Sequence, residues 1–336
     1  MIKYNYNNLY HNIFGLINIM NTEVTPPTQN ISSLYYYPDV SDYWELLKPR
    51  VMSLVIFTSI TGALAAPSTT PATLIIAALF CVAVGAGACG ALNMWWDHDI
   101  DRIMQRTKNR SIPAGRMPRE HALIFGGCLA VSSVIFIFLF ANLLSAALLS
   151  VSILFYLFVY TIWLKRTTPV NVVIGGISGA LPPVIGWTIA QSHITIEPIL
   201  LFMIIFLWTP PHSWALMLFR RDDYVRAEIP VLPVSHGDKA TRRAIMRYSV
   251  ILVPVSMSLG FTDIAGVYYV AVVAVCNVIL LAQSIRILRR TEDDAILDNY
   301  ATERTFFRFS IMYLFIIFCS VIGSGIIRDI GLYFYD

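Results

Sequence analysis

The feature that most constrains this chain is the alternation of long apolar stretches with loops that are either rich in Lys and Arg or empty of them. Nine stretches read as long enough, or nearly so, to cross a bilayer: 51–66, 73–96, 122–140, 143–164, 170–190, 199–219, 248–261, 264–285 and 309–327. The first and seventh are short. Pro and Gly inside several of them predict kinked or locally opened helices, which a bundle tolerates because neighbouring helices satisfy the freed backbone groups. Of the 24 Lys and Arg residues, all but Arg328 lie in every second loop, and the intervening loops have none. By the positive-inside rule the basic side is cytoplasmic, or its equivalent in an inner organelle membrane. The expected fold is an all-α membrane protein, a bundle of about nine transmembrane helices with the N-terminus inside and the C-terminus outside. With 57% hydrophobic and 13% charged residues, a soluble domain is excluded.

The net charge of +3 carries no signal for nucleic acid, because the basic residues serve topology and two large inside loops. Cys81, Cys89, Cys128, Cys276 and Cys319 all fall within apolar stretches and form no Cys-x-x-Cys pair, so they read as buried small hydrophobes. Residues 1–42 are expected to form a disordered cytoplasmic tail, and 43–336 a single polytopic domain. The tail is Asn- and Tyr-rich and lacks both the apolar core of a signal peptide and the Arg-rich pattern of a mitochondrial presequence. A bacterial cytoplasmic (inner) membrane is therefore favoured over the mitochondrial inner membrane.

Where the second stretch runs out into a basic loop, Asn93, Asp97 and Asp101 follow one another at intervals of four. That spacing keeps three oxygen-bearing side chains on one helical face, over about 12 Å at 1.5 Å per residue. Carboxylates in a row at a membrane edge repel one another unless a cation joins them. A hard ion such as Mg²⁺ that also holds a phosphate suits them. Arg102, Arg106, Lys108 and Arg110 follow directly and can engage phosphate oxygens. Asp99 and His98 read instead as part of a solvated face. A polar group at the edge of an apolar stretch is costly and usually kept for function, which favours a metal–diphosphate site over a merely solvated one.

A second large inside loop begins at Trp208-Thr-Pro-Pro-His212-Ser-Trp214 and runs through Arg220, Asp222, Asp223, Arg226 and Glu228 to Lys239. Four spans separate it from the first, so both emerge on the same face. Facing carboxylate clusters can hold metal ions against one diphosphate.

The Asn93-x₃-Asp97-x₃-Asp101 series, with Arg106-Thr107 and Arg110, resembles the first aspartate-rich motif of the UbiA-type intramembrane prenyltransferase superfamily. Four further stretches resemble its haem-farnesylating branch: Leu47-Lys-Pro-Arg50, Gly175 through Trp187, Trp208 through Trp214, and Asp223-Tyr224 through Pro233. The likeness spans about residues 43–327. Met94 stands where the superfamily usually has Asp, Phe219 and Ala227 flank Asp223 where a second Asp is usual, Ser111 replaces Pro, and Glu228 replaces Gly.

The resemblance implies transfer of farnesyl from farnesyl diphosphate to a vinyl group of haem b, with Mg²⁺ as cofactor. It makes Asn93, Asp97, Asp101 and Asp223 the catalytic and metal-side candidates, with Asp222 as a further metal ligand. Lys48, Arg50, Arg106, Arg110 and Lys239 are candidates for contact with the diphosphate. His212 is a candidate for contact with haem iron or a propionate, against its reading as a hydrogen-bonded structural histidine. Trp95, Trp96, Tyr156, Tyr160, Trp187, Trp208 and Trp214 are available to stabilise an allylic cation through their ring faces. Membrane lipid and a haem A synthase or terminal oxidase assembly are the implied partners. Two other readings remain open from the sequence. One is a prenyltransferase acting on a quinone-precursor or chlorophyll-type ring. The other is a secondary transporter, against which the acidic groups lie at one membrane face rather than the midplane.

Overall fold

A computed structural model describes residues 38–335, with side chains to residue 327. The tail expected over 1–42 therefore falls largely outside the described residues. Among those described there are helices and no strands. The helices are α1 (Val40–Leu46), α2 (Pro49–Ala65), α3 (Ala72–Trp96), α4 (His98–Ile103), α5 (Arg119–Phe140), α6 (Leu143–Thr167), α7 (Asn171–Gln191), α8 (Ile196–Phe219), α9 (Arg221–Arg226), α10 (Leu232–Ser258), α11 (Val267–Arg289), α12 (Glu292–Leu297) and α13 (Ala301–Tyr335). Eight are long and apolar enough to span a membrane, and α1 with α2, bent by 53°, makes a ninth if counted as one. Large apolar side chains such as Phe80, Ile124, Leu139 and Val278 point outward, the arrangement of an integral membrane protein.

The spanning helices pack in chain order, and α13 returns to α2 to close the ring, with Phe57 and Phe315 centred 4.9 Å apart. Across the interior α2 meets α7, whose core window is 78% buried, the highest share among the spans. Small residues permit that crossing. A Cβ on Gly186 would stand 1.9 Å from the Ser59 carbonyl oxygen, and one on Gly62 2.0 Å from that of Pro183. In lipid such backbone-to-backbone approach replaces the hydrophobic drive that packs soluble helices. Hydroxyl and amide bonds add to it on the other side of the bundle. Tyr313 donates to Asn277 Oδ1 at 2.8 Å, and Asn277 Nδ2 donates to Ser256 Oγ at 3.0 Å, joining α13, α11 and α10.

Two elements differ from the sequence expectation, the start of α10 and the winding of α6, while the break within 170–190 is the kink expected from its prolines. Residues 232–247, expected in a loop, form the first half of α10, because a helix can extend beyond the lipid where its hydropathy falls. Gly237 at φ 78° kinks it. The span 170–190 breaks at Leu181, where Pro182 and Pro183 begin a new helical segment. Within α6, residues Phe155–Leu164 form a π-helix, a geometry that hydrophobic periodicity does not report.

Candidate functional site

Asn93 lies in the last turn of α3, Asp97 is the residue between α3 and α4, and Asp101 lies on α4. All three are buried. Asn93 Nδ2 donates to Asp97 Oδ2 at 2.7 Å and to Thr161 Oγ1 on the π-helix at 3.2 Å. Lys48 Nζ donates to Asn93 Oδ1 at 2.6 Å. Lys165 Nζ donates to Asp97 Oδ2 at 2.5 Å, while Asp97 Oδ1 is buried without a hydrogen-bond partner, with Arg166 3.6 Å away. Asp101 accepts from Arg110 at 2.9 Å. Asn93 and Asp97 meet as their four-residue spacing predicts, while Asp101 lies past the break at Asp97 and is tied to it through its backbone N–H, which donates to the Asp97 carbonyl at 2.8 Å. The charge balance of these residues comes in part from Lys165, one of the two basic residues that end α6.

The second loop meets the first through Asp223. The Gln105 backbone N–H donates to Asp223 Oδ1 at 3.3 Å, and Arg226 donates to the same oxygen at 2.5 Å. Asp222, one residue earlier, turns away and lines a separate depression with Arg221, Glu292 and Tyr300. A step of one residue on a helix rotates the side chain by about 100°, so only one of an adjacent acidic pair can face the first cluster. Among the described residues no three His, Cys, Asp or Glu side chains converge into a metal cage. Each buried carboxylate instead holds a cation: Asp97 with Lys165, Asp101 with Arg110, Asp223 with Arg226.

Next to this charged pole lies a cavity of about 380 Å³, bounded by α2, α3, α6, α7, α8 and Tyr224 of α9. Lys48 belongs to both, since it lines the cavity and bonds to Asn93. The walls are largely apolar, with Ser152, Ser178, Thr209 and Ser213 as scattered polar groups. Tyr156 and Tyr160, centred 5.4 Å apart on the π-helix, are the members of the aromatic candidate set that face it. The Gly-rich stretch of α7 now has a physical account. A Cβ on Gly175 would stand 2.2 Å from Tyr160 Cδ2, so only glycine admits that ring, and Gly179 faces open space.

The other sequence-derived candidates are placed as follows. Arg106 is exposed and does not line the cavity. Arg50 and Lys239 are exposed and do not line the cavity. His212 sits on the side of α8 that meets α13, stacked between Trp208 (4.3 Å) and Phe307 (4.6 Å), with Nδ1 2.7 Å from Ser310 Oγ. It is likewise absent from the cavity wall. Asp99 is exposed and held by both Arg166 terminal nitrogens at 2.7 and 2.8 Å, which pulls its carboxyl down to about 2. Glu228 takes φ 53°, a left-handed conformation that costs a side-chain-bearing residue and that glycine adopts freely.

Sequence reasoning missed Lys165, Arg166 and Thr161. The first two were visible as the only basic residues of a five-residue inside loop, 165–169. Thr161 carried no signal, because only the widened π-helical turn brings it to Asn93.

A charged pole of paired carboxylates and cations beside an apolar chamber within a helical bundle suits a molecule with a charged head and a greasy body. Residues 54–325 match the model of the UbiA prenyltransferase family, and the chain belongs to that family. It is 49% identical over 291 residues to a protoheme IX farnesyltransferase from Ruegeria pomeroyi, covering 87% of this chain and 92% of that protein. It is 48% identical over 305 residues to the protein of the same name from Roseobacter denitrificans, covering 91% and 97%. Among solved structures, a digeranylgeranylglyceryl phosphate synthase superposes with a TM-score of 0.70 at 18% identity, over 85% of this chain and 98% of that one. A UbiA homolog from Archaeoglobus fulgidus bound to DMAPP and Mg²⁺ gives 0.56 at 13% identity, over 81% and 99%. These structures share the fold.

Proposed function

We propose that this chain transfers the farnesyl group of farnesyl diphosphate to a vinyl group of haem b. The observation that carries the geometry of this reading is the link from cavity to charged pole, Lys48 to Asn93 to Asp97, at 2.6 and 2.7 Å. With Lys48 also lining the cavity, it supports a diphosphate meeting a basic side chain at the mouth of an apolar chamber. The identity of 46–49% to proteins named protoheme IX farnesyltransferase supports haem as the acceptor over a quinone precursor.

The residues fit Mg²⁺. This ion takes one or two carboxylates and fills its remaining positions with phosphate oxygens and water, so a closed protein cage is not needed. Asn93, Asp97, Asp101 and Asp223 would hold it, and Asp97 Oδ1, which accepts no hydrogen bond and has only Arg166 at 3.6 Å, is an available ligand atom at the pole. When bound, Mg²⁺ supplies positive charge to the departing diphosphate. Lys48, Arg110 and Lys165 would move from their present amide and carboxylate partners toward phosphate oxygens, charge-assisted bonds of the same kind, and the exposed Arg106 would join them.

In the reaction the allylic C–O bond breaks and its electron pair leaves with the diphosphate. The allylic carbon then bonds to the terminal vinyl carbon, and water adds to the adjacent carbon with loss of a proton, giving a hydroxyethylfarnesyl substituent. The cavity walls keep bulk water from capturing the cation first. Tyr156 and Tyr160 offer ring faces along its path. The charge alternation of the loops supports a pole on the cytoplasmic side and the bacterial relatives support an inner membrane, where a haem A synthase or terminal oxidase assembly would take the product.

The direct test is purified protein in detergent with haem b, farnesyl diphosphate and Mg²⁺, followed by chromatography and mass measurement of extracted haem. A farnesylated haem carrying one added water is expected. Unchanged haem, with farnesyl found on a quinone precursor supplied alongside, would overturn the assignment.

A further inference from the structure

The short helix α1 is bound to the loop that follows the first motif by more contacts than a linker needs. Asp42 is buried; one of its oxygens caps the start of α1 by accepting from the Asp39 N–H at 3.1 Å, and the other accepts from Arg116 Nε at 2.9 Å. One oxygen of Glu45 accepts from the Ser111 N–H at 3.0 Å, from Ser111 Oγ at 2.5 Å and from Arg116 at 2.9 Å. Leu46, fully buried, packs with Ile112 and Met117 on either side of that turn. The backbone then bends at Lys48, whose φ of 51° and ψ of 60° are left-handed and unfavourable for a residue with a side chain. The elbow rests on Gly90 of α3, where a Cβ would stand 2.7 Å from the Leu46 carbonyl oxygen.

An elbow held in a costly conformation from both sides indicates that its geometry matters. We propose that α1 is a positioning strap: Asp42 and Glu45, by gripping Ser111 and Arg116, fix Lys48 against the turn that carries Arg110. Lys48 bonds to Asn93 and Arg110 to Asp101, so the strap sets the spacing of the two basic side chains that a diphosphate would meet. The inference rests on the reading of Lys48 as a diphosphate contact. Ser111 supplies both the N–H and the hydroxyl that Glu45 uses.

The test compares Glu45→Gln, Arg116→Ala and Arg116→Lys in the purified enzyme, with KM for each substrate, kcat and the thermal midpoint measured for every variant. Glu45→Gln keeps shape and an acceptor oxygen but loses the charge. Each of Glu45→Gln and Arg116→Ala is expected to raise KM for farnesyl diphosphate about five- to tenfold, since displacements near 1 Å cost up to about 100-fold. KM for haem stays within about twofold, and Arg116→Lys recovers part of the loss. In a Lys48→Ala background the Glu45→Gln effect shrinks to under about twofold, the coupling expected of residues acting through one another. Unchanged KM for farnesyl diphosphate in Glu45→Gln and Arg116→Ala, with Lys48→Ala impaired, overturns the strap alone. Parallel loss of both substrates together with the thermal midpoint overturns it in favour of a folding role. A Lys48→Ala variant with normal KM removes the diphosphate reading of Lys48 and the strap with it.

Discussion

Replacing Asp97 by Asn tests the charged pole most directly, because the change is isosteric and the site is fully enclosed. Asp97 is 0% exposed, with Lys165 Nζ at 2.5 Å and Arg166 at 3.6 Å. Removing one partner of a buried ion pair costs about 3–5 kcal/mol, since the remaining charge is left desolvated. Two features reduce that here. Lys165 and Arg166 side chains keep 18% and 32% of their exposure, and the Asn carbonyl still accepts from Lys165. A loss of about 1–3 kcal/mol in stability follows, visible as a lower thermal midpoint in detergent. The catalytic loss is separate and larger. Withdrawing one group that neutralises charge in the transition state typically costs about 10²–10³ in kcat, or 3–4 kcal/mol. Single-turnover farnesylation per folded enzyme, at saturating substrates and limiting Mg²⁺, separates the two effects. Asp99→Asn is the control. Its carboxyl is depressed to about 2 by Arg166, so the pair contributes stability above the ordinary carboxylate range and loses it only as pH falls toward about 2. At neutral pH that variant forfeits a half-exposed ion pair and is expected to keep kcat within about threefold. If Asp97→Asn turned over within twofold of wild type under these conditions, the pole would not be the seat of the chemistry.

Gly186→Ala should destabilise the bundle by about 3 kcal/mol or more, because its Cβ would meet the Ser59 carbonyl and backbone cannot rotate aside; an unchanged thermal midpoint would refute the close α2–α7 crossing. His212→Ala removes a ring stacked between Trp208 and Phe307 and a bond to Ser310, a loss of about 3 kcal/mol. Haem and farnesyl diphosphate binding should then weaken together as the fold loosens, and selective loss of haem binding at a normal midpoint would instead make His212 a haem contact. A reporter inserted after Gly115 should read cytoplasmic and one at Ser192 external; the same reading from both would break the charge-derived topology.

Much of the architecture was legible in one dimension because the membrane imposes it there. A helix must be about 20 apolar residues long to cross lipid, and loops sort by Lys and Arg, so spans and their order are written in hydropathy and charge. The first motif was legible for a similar reason: Asn93 and Asp97 meet as their spacing alone predicts. What depends on distant segments meeting was not. The pairing of Asp97 with Lys165, 68 residues on, and of Gln105 with Asp223, 118 residues on, follows from how α6 and α9 pack. The choice of Asp223 over Asp222 depends on the orientation of α9, and the turning of His212 toward α13 on the rotation of α8 about its own axis. The π-helix that brings Thr161 to Asn93 leaves no periodic trace, since an apolar run reads alike at either winding. Composition and spacing decide which residues reach a membrane face and which side of a helix they share. Only packing decides which of those residues touch, because contact depends on the rotation and offset of helices that the chain's order leaves free.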